Sequence, residues 1–166
     1  MAQTFRQGSR PGPGNRNARP GIDDRLRSDE KIAYFADPER KAIRPELLDR
    51  EAQKVARKMQ DIPASQLRRF FGSVMELRRR LEADETLRGN APAIEAEMAF
   101  LKASAAYTCR RLGYDNPKKN WQGDPLELVS FCSRHRNSVN DARDFFAFTR
   151  HFEAVIAFHK CFARER

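Results

Sequence analysis

Apolar side chains along this chain recur at intervals of three and four residues, the period of a helix with one buried face, and nowhere in the sustained alternation of a strand. Leu48, Ala52, Val55 and Met59 form one stripe, which predicts a helix opening at Pro45, a residue suited to a first helical position. Leu67, Phe70, Phe71, Val74, Leu77 and Leu81 form a second stripe, with Ser65 placed to cap its helix. Ile94, Met98, Leu101, Ala105 and Leu112 form a third, running from about Pro92 to a stop at Gly113. A shorter helix is predicted near Pro125 to His135. A long last one starts near Ser138 or Asn140 and runs to about Ala163, with Phe145, Phe148, Phe152, Val155, Ile156 and Phe162 on a broad apolar face. Ser28, Lys31, Ile32 and Phe35 suggest a short helix before Pro38. The expected fold is all-α, a compact bundle of about five to six helices over residues 28–166.

Residues 1–27 read differently. They are rich in Gly, Pro, Asn and Arg and nearly devoid of apolar groups, so burial cannot offset the entropy of ordering them, and a flexible basic arm is expected. Its six Arg against two Asp supply +4 of the formal charge of +9, which leaves +5 on the body. A basic body points to a polyanionic partner. The chain has no apolar stretch long enough to span a bilayer and no secretory apolar core, so a cytoplasmic protein without a membrane partner is expected. Cys109, Cys132 and Cys161 are odd in number and widely spaced, which fits reduced, buried thiols.

At 100° per residue the cations fall into rows. Arg50, Lys54, Arg57 and Lys58 lie apart from the apolar stripe of their helix; Arg68, Arg69, Arg79 and Arg80 lie opposite the stripe of the next; Arg143, Arg150 and Arg164 line the last. Such rows suit a phosphate backbone bound without base readout, and each is equally the solvated face of an amphipathic helix. Arg78 falls at the edge of the apolar stripe and needs an ion pair or an RNA contact. Phe100, Tyr107 and Arg111 share a second side of their helix, which either packs or stacks on bases. Trp121, after Lys118 and Lys119 in a polar loop, is expected to be exposed, a candidate anchor for RNA or a partner subunit.

Catalytic signals are weak. His159 falls within an apolar face, as a core or interface histidine does. Cys132 and His135 have ligand-like spacing, but His151, His159 and Cys161 complete no usual zinc pattern. No carboxylate cluster or phosphate-cradling Gly loop is present, so neither a metal nor a cofactor is expected.

Three motifs in order, Ser65-Gln-Leu-Arg-Arg-Phe-Phe71, Tyr107-Thr-Cys-Arg-Arg111 and Phe152-Glu-Ala-Val-Ile-Ala-Phe-His-Lys160, resemble the small subunit of the type III-A CRISPR effector, the Csm complex. The resemblance covers roughly Pro45 to Phe162. It implies a non-catalytic subunit in antiviral defence, stacked with further copies of itself in a filament beside the backbone subunits and contacting guide RNA and target RNA. Carried over by position, it implies RNA contact for Arg68 and Arg69 and for Arg110 and Arg111; Arg110 stands where the family commonly has Gly. With the rows above, the candidate RNA-binding set is Arg50, Lys54, Arg57, Lys58, Arg68, Arg69, Arg78, Arg79, Arg110 and Arg111. The alternative is a stand-alone helical regulator that holds DNA or RNA through its Arg-rich arm.

Overall fold

The computed structural model describes residues 21–163, so the arm expected over 1–27 lies outside the described residues up to position 20. Its last six residues do not belong to an arm. Ile22–Arg27 form a helix, α1, docked on α7 (Glu127–Ser138), where the Arg25 guanidinium meets Asp124 at 2.7 Å and Lys102 Nζ donates to the Leu26 carbonyl at 2.6 Å. The folded body therefore begins before Ser28.

The short helix expected at Ser28–Phe35 is absent. This segment runs extended along α7, because its backbone finds partners there: Ile32 N donates to Ser138 Oγ at 2.7 Å and Asn137 Nδ2 donates to the Ser28 carbonyl at 2.7 Å. It buries Tyr34 and ends in an antiparallel bridge between Phe35 and Ile43, the sole strand-like pairing among the described residues. A helix would have satisfied the same groups locally and left Tyr34 outside.

The helix opening at Pro45 is broken. Asp49, at φ −122° and ψ −97°, separates α2 (Pro45–Leu48) from α3 (Arg50–Lys58), and the kink turns Leu47 rather than Leu48 fully into the core. The remaining elements are α4 (Ala64–Ala83), α5 (Glu85–Arg88), α6 (Ala91–Arg111) and α8 (Ala142–Phe162). Eight helical segments thus occur among the described residues, five of them nine residues or longer, as an all-α fold.

Local chemistry fixes the ends. Asn90 Oδ1 accepts from Ala93 N at 3.1 Å to open α6, and Asp141 Oδ1 accepts from Asp144 N at 2.9 Å to open α8. At the far end of α6, Gly113 takes φ +71°, and the amides of Gly113 and Tyr114 return to the carbonyls of Arg110 and Cys109, the paired bonds of a Schellman stop. Ser65, expected as a cap, sits inside the first turn of α4, which Pro63 precedes.

The last helix is the organiser. α3, α4 and α2 all lie against α8, while α7 is held between α6 and α1. The two groups join through aromatics: Phe131 of α7 meets Phe148 and Phe152 of α8 at centroid separations of 6.1 and 5.0 Å, and Phe152 meets Phe70 of α4 at 6.1 Å. Phe131, Phe145, Phe148 and Phe152 are fully buried, and large rings at tilted angles bring both area and favourable edge contacts.

Candidate nucleic-acid interface

The predicted cations divide according to their partners. Lys58, at the end of α3, turns toward α7, and its Nζ lies 3.4 Å from Glu127. The Glu127 side chain has no exposure at all, and it also meets Arg134 at 2.8 Å and Arg25 at 4.0 Å. One buried carboxylate is thus neutralised by cations from α1, α3 and α7, the condition under which a carboxylate tolerates burial. Arg78, read from the sequence as needing a partner, has three: Glu82 at 2.8 Å, Thr149 Oγ1 at 3.1 Å and Glu153 at 3.7 Å, with Phe146 beneath its guanidinium. Arg79 pairs with Glu76, Arg80 with Glu97 and Arg110 with Asp115. On α8, Arg150 pairs with Glu153, whereas exposed Arg143 donates to the Glu39 carbonyl and forms no ion pair among the described residues; Arg164 lies outside the described residues.

Arg50, Lys54, Arg57, Arg68, Arg69 and Arg111 are exposed and meet no carboxylate among the described residues. Two of them converge. Arg57 lies 4.1 Å over the ring of Phe162, and Arg68 is close enough to His159, one turn earlier on α8, for its charge to depress that imidazole. Both therefore stand at the C-terminal end of α8, whose unpaired carbonyls attract cations, with exposed Lys160 beside them. The rows lie on helices consecutive in sequence, whose order in space the sequence leaves open: α3 and α4 each pack along α8, with at most a marginal contact between them, and they approach where α3 ends and α4 begins.

That corner is pinned from a loop in which the sequence showed only a polar stretch. Asp61, between α3 and α4, accepts from the amides of Gln122 and Gly123 at 2.7 Å each, and Asp124 N donates to the Lys58 carbonyl at 2.7 Å. A Cβ on Gly123 would stand 2.1 Å from the Lys58 oxygen, so only glycine allows this approach. Glu127, Asp61 and Gly123 were missed by sequence reasoning; the Gln122-Gly123-Asp124 turn was the sole signal pointing to the last.

Trp121 is half-buried rather than exposed, with Lys119 Nζ 5.5 Å from its ring, in a cleft of about 370 Å³ with Lys118, Pro63 and Leu112. Phe100 and Tyr107 are exposed, at 68% and 65%, so α6 is not buried on two faces; Arg111 lies 5.8 Å over Tyr107.

The catalytic candidates are built into the core. His159 is 2% exposed, and its Nε2 donates to the Met59 carbonyl at 3.1 Å; burial above all holds the imidazole below its ordinary value. No group of His, Cys, Asp or Glu among the described residues is arranged to hold a metal ion. Cys109 and Cys132 are buried, and burial raises both thiols, Cys109 to about 12. Cys161 departs from the expectation and is exposed, because the α8 face carrying it faces away from α3 and α4.

No described helix is long and apolar enough to cross a membrane. The family model described as Csm2 Type III-A matches residues 42–165. No curated protein and no solved structure matches the chain significantly.

Proposed function

Because this chain belongs to the Csm2 type III-A family, and is through that membership a small subunit of a Csm complex, we propose that it binds the guide and target RNA backbone there as a non-catalytic, cytoplasmic component. The observation that carries this reading is the sorting of the cations. Lys58, Arg78, Arg79 and Arg110 are matched by carboxylates, whereas Arg50, Lys54, Arg57, Arg68 and Arg69, along α3 and the start of α4, meet no carboxylate among the described residues. Flexible cations without an internal acid gain most from a phosphate, since nothing must be broken to reach it. Their contacts are to phosphate rather than to base edges, so these cations contribute affinity without sequence preference.

Arg111, beside exposed Tyr107 and Phe100, extends the basic surface along α6. The apolar exposure there suits a protein neighbour, either a backbone subunit or an adjacent copy of the chain.

The test is a salt titration of single-stranded RNA binding to the full chain and to the variant Arg57→Ala/Arg68→Ala/Arg69→Ala. Each lost phosphate contact lowers the magnitude of the slope of log K against log salt by about 0.7, so the triple variant should lose roughly 2. Unchanged affinity and slope would overturn the assignment. Loss of binding on deletion of residues 1–20, with the triple variant unaffected, would favour a stand-alone regulator acting through its arm.

A further inference from the structure

A cleft of about 480 Å³ opens between α3, the extended segment at residues 30–33 and the facing sides of α7 and α8. Its size is within the range of small-molecule sites. His151 lines it at only 2% exposure, and neither ring nitrogen has a hydrogen-bond partner among the described residues. A buried imidazole with both nitrogens unmatched is costly, and most buried polar groups are satisfied. A polar group reaching the floor of the cleft would supply a partner for one of the two nitrogens, which point in diverging directions.

The rest of the lining limits what that group can be. Ile32, Ala33 and Val55 give an apolar wall. Arg44 is held by Glu51, Lys58 by Glu127, and Arg134 by Glu127 and, at 4.0 Å, by Glu30, so these three cations are matched by three carboxylates of the lining. Lys31 and Lys54 are exposed and paired with no carboxylate among the described residues, which leaves two unmatched positive charges at the mouth. A dianion at the mouth, a flat apolar body against the wall and a polar group at the floor that pairs with one imidazole nitrogen together describe a nucleotide.

We propose that this cleft binds a single nucleotide unit, its phosphate on Lys31 and Lys54, its base against Val55 and Ile32, and the edge of the base on the His151 imidazole. Burial and the charges of Arg134 and Arg44 keep His151 neutral, at about 4, so that the one ring nitrogen turned to the cleft can be either the N–H or the lone pair that a group on a base edge meets. The unit is either a free nucleotide or one nucleotide of a bound strand. The second form rests on the RNA reading above, with which the cleft shares Lys54.

The experiment is calorimetric titration of the full chain with the four ribonucleoside 5′-monophosphates, ribose 5-phosphate and orthophosphate, repeated on Lys31→Met/Lys54→Met and on His151→Phe. Saturable binding of at least one mononucleotide is expected, weakened about tenfold or more by either variant, with ribose 5-phosphate far weaker than the nucleotide. Displacement of that nucleotide by a short single-stranded RNA assigns the site to a strand, and failure to displace it assigns a free nucleotide. No saturable binding, or binding that the surface variant Lys31→Met/Lys54→Met leaves unchanged, overturns the proposal even if His151→Phe fails to fold. The RNA reading stands or falls separately, on the response of RNA affinity to the Arg57, Arg68 and Arg69 substitutions.

Discussion

Acidification should destabilise this protein well above the range in which its carboxylates titrate. His151 and His135 lie side by side in the aromatic core, ring centroids 5.2 Å apart, and both are pushed down chiefly by burial. Tyr34 Oη and His135 Nδ1 share a buried hydrogen bond of 2.6 Å, and burial, reinforced by Asp144, raises the phenol well above its ordinary value, so no phenolate is there to stabilise an imidazolium. A histidine depressed in the folded state binds fewer protons there than when unfolded, so stability rises with pH between the two values and is lost as pH falls below about 6.5. With His151 at about 4 when folded, the loss between pH 7.5 and pH 5 is about 2 kcal/mol from that residue alone, and His135 adds to it. For a chain of this size that lowers Tm by roughly 4–8 °C. Scanning calorimetry at pH 7.5, 6.5, 5.5 and 5.0 at constant ionic strength measures it, and His151→Phe should remove that residue's share. A Tm that stays level across the series, or a full loss retained in the His151 variant, would refute the argument that these rings are neutral because they are buried.

Glu127→Gln removes the buried carboxylate that three cations share, and by the usual cost of breaking a buried pair it should destabilise by about 3 kcal/mol, less whatever solvent reaches half-exposed Lys58; urea denaturation checks this. Gly123→Ala places a methyl against the Lys58 carbonyl and must shift the corner joining α3 to α4, at about 1–3 kcal/mol; because that corner carries Arg57 and Arg68, RNA affinity should fall more than in Gly72→Ala, where a Cβ meets nothing. In the native protein one thiol, Cys161, should react with an aromatic disulfide reagent, and three after denaturation; rapid labelling of Cys109 or Cys132 without unfolding would contradict their burial.

What the chain alone determined is what depends on local spacing. The helical period of α4, α6 and α8 identified their buried faces nearly residue by residue, from Leu67 to Leu81, Ile94 to Ala105 and Phe145 to Val155, because a side chain's direction on a helix follows from its position in the turn. Gly113 and its stop were legible for the same reason. The three motifs carried the family, which the match over residues 42–165 bears out. The partner of each charge is a different kind of fact. Lys58 and Lys54 lie one turn apart on one helix and read alike, yet the fold brings Glu127, 69 residues away, to the first and no carboxylate among the described residues to the second. The segment at Ser28–Phe35 has a helical pattern and becomes extended, where α7 supplies partners for its backbone and Tyr34 is buried. His151 resembles any histidine on an apolar face until the cleft beside it appears. Period is written into consecutive residues; compensation of charge and satisfaction of polar groups are settled between residues far apart, and only the folded chain brings them within reach of one another.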